Sequence, residues 1–168
     1  MSHSVAVALP WGQGSVGYFS KQAARRLLVF VHGFGGKASA TWAGTASTLA
    51  TDPRAGTCDP AYFGCRSFRT QPEMSAGILR ALLDEAAGAS AEWNAHASRA
   101  LGTAVAREYE EVLVIAHSVG ALVSRRRCLM QTANGQRGRT RPGCRSLHPR
   151  TWEPFSINFA RRWGWSRV

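Results

Sequence analysis

Two short runs of uninterrupted apolar residues stand out along the chain, Leu27-Leu28-Val29-Phe30-Val31 and Val112-Leu113-Val114-Ile115-Ala116. Neither alternates apolar with polar positions, as a strand with one wet face does. Continuous runs of this length suit strands covered on both faces, in a parallel sheet between layers of helix. Each run ends in a polar, glycine-bearing turn: His32-Gly33-Phe34-Gly35-Gly36 after the first, His117-Ser118-Val119-Gly120 after the second. Between the runs the pattern is helical. Trp42 to Ala50 is rich in Ala and Thr and stops at the breaker Asp52-Pro53. Met74 to Ala87 places Ile78, Leu79, Leu82 and Leu83 at helical spacing, with Gly88 positioned as a C-cap. Ala91 to Tyr109 reads as a further helix broken or weakened at Gly102, with His96 on its exposed side and Glu108, Glu110 and Glu111 at its solvated end. Ala61-Tyr62-Phe63-Gly64 reads as a short third strand, and Ala121-Leu122-Val123 opens a helix after the second turn. The alternation predicts α/β architecture: a mostly parallel sheet with helices on both faces, joined by right-handed crossovers.

After Arg127 the pattern stops. Gln131 to Arg150 reads QTANGQRGRTRPGCRSLHPR, in which Leu147 is the one aliphatic residue larger than Ala. Thr151 to Val168 mixes Trp152, Trp163 and Trp165 with arginines and holds neither helix nor strand period. Charge divides the same way. The net charge of +11 over 168 residues would ordinarily point to nucleic acid or an anionic surface. Up to Ser124, however, ten basic residues face nine acidic ones, whereas eleven arginines face the single acid Glu153 after it. Residues 1–127 therefore read as the folded part, and 128–168 as a basic, poorly ordered tail whose abrupt composition suggests out-of-frame or unrelated coding sequence. Arginines beside tryptophans can contact phosphates and stack on bases, so nonspecific nucleic-acid binding is one function this tail offers. No recognisable nucleic-acid fold accompanies it, and specific binding is not expected. No run of about 18 apolar residues is present to span a membrane. The first twenty residues lack a basic segment followed by a long apolar one, so the expected location is the cytoplasm. Cys58, Cys65, Cys128 and Cys144 fit no zinc spacing and read as free thiols.

The second turn carries the chemistry. A buried strand runs through Ala116-His117-Ser118-Val119-Gly120 into a helix. A serine on such a sharp strand-to-helix turn sits in strained backbone, with small residues two before and two after it preventing clashes. Here those are Ala116, where Gly is usual, and Gly120. With the HGFGG turn about 85 residues earlier, after the other strand, the chain resembles an α/β-hydrolase of the serine esterase or lipase-like kind. The resemblance covers the N-terminal part of that fold and leaves its later strands missing, so the Val112–Ala116 strand is expected to present an unpaired, aggregation-prone edge. It implies Ser118 as nucleophile, backbone N–H donors to the oxyanion from Phe34 and Val119, and structural support from Gly33 and from His32, which bonds backbone rather than acting as base. His117 flanks the nucleophile and points away. A small acyl or ester substrate is implied, and no metal or cofactor. The stretch Tyr62 to Gln71 is more loosely similar to members of the same family. The family places its acid and then its histidine after the nucleophile. After Ser118 the chain holds only His148, the one candidate base, followed by Glu153, in reverse order and without a buried strand before either. The expectation is thus a weakly active or inactive serine hydrolase, the alternative being an inactive fragment or pseudoenzyme.

Overall fold

The structure is a computed structural model that describes residues 5–53, 58–65 and 71–125. In chain order it contains β1 (Val5–Ala8), β2 (Val16–Phe19), β3 (Arg26–Val31), a 3-10 turn (Ala40–Trp42), α1 (Ala43–Thr51), β4 (Cys58–Phe63), α2 (Pro72–Ala87), α3 (Ala91–Leu101) and β5 (Glu111–Ala116). Residues 119–125 are helical. The region from Arg126 to Val168, with Cys128, Cys144, His148 and Glu153, lies outside the described residues, as does most of the looser similarity, at 66–70.

The five strands form one sheet in the order β1-β2-β4-β3-β5. Pairs β4/β3 and β3/β5 are parallel, and pairs β1/β2 and β2/β4 are antiparallel. The sheet is therefore mixed, which corrects the expectation of a mostly parallel one. The cause is an N-terminal hairpin: two strands joined by a short connection must run in opposite directions. Both are only four residues long, Val-Ala-Val-Ala and Val-Gly-Tyr-Phe, too short to display a strand period beside the long runs.

Strand β3 lies inside the sheet between β4 and β5, and its last five residues are buried. Leu27, Val29 and Val31 face one core with Leu79, Leu82 and Leu83 of α2 and Trp93 and Ala97 of α3. Leu28 and Phe30 face a second core with Tyr62, on which Trp42 and the α1 residues Ala46 and Leu49 pack. Phe30 stacks on Tyr62 with ring centroids 5.1 Å apart and meets Trp42 at 5.2 Å. The two faces of this strand each carry helix, as its uninterrupted apolar run requires. Strand β5 has the same kind of sequence, yet all six of its residues are only half-buried. It ends the sheet among the described residues and pairs with β3 alone.

Of the two outcomes expected at Gly102, the helix is broken there, and the stretch up to Tyr109 is not helical. Helix α3 stops at Leu101, and Gly102 takes the left-handed conformation with φ +69°. The chain then runs back beside α3 instead of continuing it. Ser98 Oγ accepts from Val105 N–H at 3.0 Å and Asn94 Oδ1 accepts from Arg107 N–H at 2.7 Å. Those side chains supply acceptors that a continued helix would have supplied from backbone. The acids after it do not end a helix either. Glu110 pairs with Arg25 at 2.6 Å and Glu111 with Arg26 at 3.1 Å, across the start of the β3/β5 ladder. Among the described residues no helix is long and apolar enough to cross a membrane.

Where β4 begins, a charged cluster is buried. Asp59 is 1% exposed and Arg107 3%. Arg107 Nε lies 3.2 Å from Asp59 Oδ2, and the guanidinium also donates to the carbonyls of Ser20 and Gln22. Asp59 further accepts from Ser20 N–H at 2.8 Å and from the Tyr109 hydroxyl at 2.9 Å. Burial nonetheless holds the Asp59 carboxyl above the usual carboxylate range, against the lowering effect of the Ser20 amide, Arg107 and Tyr109.

Candidate active site

Parallel pairing of β3 with β5 sets Val31 opposite Ala116, so the two strands end level. The turns that follow them must then lie side by side at the carboxyl end of the sheet. His117 N–H donates to Val31 O at 3.0 Å, which carries the ladder one residue past β5. Ser118 comes next and takes φ +55°, a left-handed conformation that a non-glycine residue adopts only under strain. The chain then closes a turn through Gly120 N–H to His117 O at 3.0 Å and Ala121 N–H to Ser118 O at 2.9 Å, and enters the helical stretch. Ser118 is exposed at this corner. Val119, the first helical residue, presents a backbone N–H that has no acceptor within the helix.

Two glycines let the turns touch. A Cβ on Gly120 would stand 2.5 Å from His32 O and 2.6 Å from Val31 O. A Cβ on Gly33 would stand 2.7 Å from the Cβ of Ser118. Any larger residue at either position forces the serine turn and the HGFGG turn apart. Ala116, in contrast, is half-buried and packs against the main core, so its extra methyl is accommodated.

The HGFGG turn is held by His32, which is 1% exposed. Its Nδ1 lies 2.7 Å from Gly33 O and therefore donates to it, while Nε2 accepts from Cys65 N–H at 3.2 Å. These partners fix the Nδ1-protonated tautomer and occupy both ring nitrogens with backbone. The Gly33 carbonyl also accepts from Gly36 N–H at 3.2 Å. In a trans peptide the carbonyl and the following N–H point in opposite directions. Holding Gly33 O toward His32 and Gly36 thus turns the Phe34 N–H to the other side of that peptide plane. His117, exposed, lies on the Gly33 side, its Nδ1 3.2 Å from where a Gly33 Cβ would be. His96 is not on an open helix face as expected: it is half-buried, with its ring edge-on to Trp11 at 5.7 Å. Desolvation there, with a contribution from Arg99, pushes its imidazole below the usual range.

The sequence reading did not single out Cys65 in this site. The β3/β4 register sets Val31 opposite Phe63, which brings the residues just past both strands together. Cys65 Sγ lies 3.9 Å from His32 Nε2, and burial pushes the thiol above its usual range, so it is not an activated nucleophile. Beside it opens a cavity of about 390 Å³ between the end of β4 and the first turns of α2.

Fold and site together define a chain of the α/β class, with a mixed five-stranded sheet whose parallel strands direct a strained serine turn against a glycine turn. No family model matches the chain, and no curated protein matches it.

Proposed function

We propose that the chain is a serine hydrolase of carboxylic esters or related acyl bonds, built on an α/β-hydrolase type of fold. The observation that carries this reading is the apposition of Ser118, at φ +55°, with Gly33 of the HGFGG turn. An exposed serine in strained backbone between a strand of the sheet and a helix fits the geometry of a nucleophile elbow. In the proposed reaction Ser118 Oγ attacks the acyl carbon, and the carbonyl oxygen becomes an oxyanion. The N–H of Val119 and the N–H of Phe34, aimed by His32 through the Gly33 carbonyl, donate to it. Each such donor contributes about 3–4 kcal/mol to the transition state. His32 is a positioning residue in this scheme: to accept the serine proton it would have to give up its bond to Cys65. The base must be another group, and the sequence candidate, His148, falls outside the described residues.

The occupied state of His32, both of whose ring nitrogens bond backbone, favours a second reading, an inactive member of the same class. Hydrolysis of an activated ester such as p-nitrophenyl butyrate separates the two. The hydrolase reading predicts nitrophenol release well above the Ser118→Ala variant. Equal rates in the two proteins contradict it and leave the inactive reading.

A further inference from the structure

Strand β5 is the last strand of the sheet among the described residues, and its ladder with β3 shows where its remaining backbone groups point. Glu111 N–H donates to Arg25 O at 3.3 Å, and His117 N–H donates to Val31 O at 3.0 Å. The N–H and C=O of one strand residue leave on the same side, and successive residues alternate. The odd-numbered residues of β5 therefore bond β3. Val112, Val114 and Ala116 turn their N–H and C=O groups to the other edge, where no described strand pairs with them. Proteins ordinarily blunt such an edge with a charge, a proline, a bulge or a very short strand. The opposite edge follows that rule, since β1 is four residues long. β5 is six residues long, and from Val112 to Ala116 it holds no charge, proline or glycine. All six of its residues are half-buried.

The sequence of the edge complements itself. An antiparallel neighbour forms paired bonds where outward-facing residues oppose outward-facing ones. With β5 of a second copy as that neighbour and a two-fold axis through Val114, Val114 opposes the partner's Val114. Val112 then opposes the partner's Ala116, and each such pair exchanges two hydrogen bonds. In the same register Leu113 opposes the partner's Ile115, apolar against apolar. Glu111 opposes the partner's His117, a carboxylate against an imidazole that can donate to it. Sliding the pairing by two residues one way sets Glu111 against the partner's Ile115. Sliding it the other way sets His117 against the partner's Leu113. The first of these three registers matches at every position. The faces match as well: Val112, Val114 and Ala116 pack on the core of α2 and α3, and Leu113 and Ile115 on the core beside α1. Opposed residues share a face, so each core meets its own counterpart across the axis. We infer that β5 is a homodimer interface, at which a second copy adds its own β5 antiparallel to this one and continues the sheet. The contact is isologous and uses up the β5 edge of both copies, so it closes at two. It stands independently of the reaction proposed for Ser118.

Two measurements on the full chain test it. In the first, sedimentation over about 1–100 μM protein shows monomer giving way to dimer and to nothing larger. Val114→Pro removes the central outward N–H and no bond to β3, so it raises the dimer's dissociation constant at least about tenfold while the circular dichroism spectrum is kept. A monomer throughout overturns the inference, as when residues 126–168 of the same chain fill the edge. So does a series of ever larger species, or a dimer that Val114→Pro leaves intact. The second measurement does not depend on how Val114→Pro folds. Opposed residues of a non-hydrogen-bonded pair stand about 4.5 Å apart at Cα, within disulfide reach. Leu113→Cys protein mixed with Ile115→Cys protein and oxidised therefore forms a link between positions 113 and 115, located by peptide mass spectrometry. Neither variant alone links to itself at its new cysteine. Links from 113 to 113 or from 115 to 115, or no link at all, overturn the register and the interface with it.

Discussion

Where β3, β4 and β5 begin, Asp59 and Arg107 are 1% and 3% exposed, and every bond they make ties one segment of chain to another. Where the same strands end, Ser118 is exposed in strained backbone and Phe34, Met74 and Leu122 face outward. The amino end joins the loop after β2, the start of β4 and the approach to β5 through one guanidinium–carboxylate cluster. The carboxyl end leaves a strained residue and apolar surface open to solvent. That division teaches where to look for each kind of effect. Changes at the first end should alter stability and leave the chemistry proposed for Ser118 intact in the folded molecules. Changes at the second should alter that chemistry, and some of them should make the protein more stable.

The largest expected effect is at the closed end. Arg107→Ala leaves Asp59 buried without its counter-charge and should cost about 3–5 kcal/mol, read from denaturant midpoints. The modification rate of Ser118, normalised to folded protein, should stay within twofold. A collapse of that normalised rate would break the division of labour. The penalty should also depend on pH. Burial raises the Asp59 carboxyl above its unfolded value of about 3.8, so the folded chain holds this proton more tightly than the unfolded one. The group therefore favours folding at pH values below the unfolded one, and that advantage is lost as pH rises through the folded value. The Arg107→Ala penalty should accordingly be small in acid, where Asp59 is neutral, and grow toward neutral pH. A penalty constant with pH would remove Asp59 ionisation from the explanation.

Next in size is Gly120→Val. The added side chain meets the carbonyls of His32 and Val31, so the variant should lose about 1–3 kcal/mol, together with Ser118 reactivity. Full reactivity in this variant would show that contact between the two turns is dispensable. Ser118→Gly runs the other way. Glycine takes φ +55° without strain, and the thermal midpoint should rise by the equivalent of about 1 kcal/mol as reactivity disappears. An unchanged or lower midpoint would mean that the turn stores no strain. Smallest is Glu110→Gln, which breaks an exposed pair with Arg25 and should change stability by less than about 1 kcal/mol.

Much of the fold was legible because the chemistry of its central strands is local. The run Leu27–Val31 has no polar position to offer to water, and the structure covers it on both faces. Helix α2 was visible through Leu79, Leu82 and Leu83, which share one buried side. The hairpin β1–β2 was not, because four-residue strands of Val, Ala, Gly and aromatic residues carry no period of their own. The end of α3 was marked by Gly102, but the return of the chain after it was not, because it rests on side-chain bonds from Asn94 and Ser98 to the backbone of Arg107 and Val105, which composition does not show. In the site, the serine turn and the HGFGG turn were both readable as motifs, as was the backbone-bonded part of His32. The contribution of Cys65 was not, since its contact with His32 depends on the β3/β4 register, which brings together residues 33 positions apart.

Strand β5 is where the two-sided burial expected from a continuous apolar run is not reached among the described residues. Its apolar run matches that of β3, yet its residues are half-exposed where those of β3 are buried. The serine turn depends on β5 holding its register with β3. The most direct test of the account is therefore covalent: reaction of the full chain with a fluorophosphonate, with the modified residue located by peptide mass spectrometry. The account predicts a single adduct on Ser118, absent in Ser118→Ala and after denaturation. An adduct elsewhere, or none on the folded protein, would contradict it.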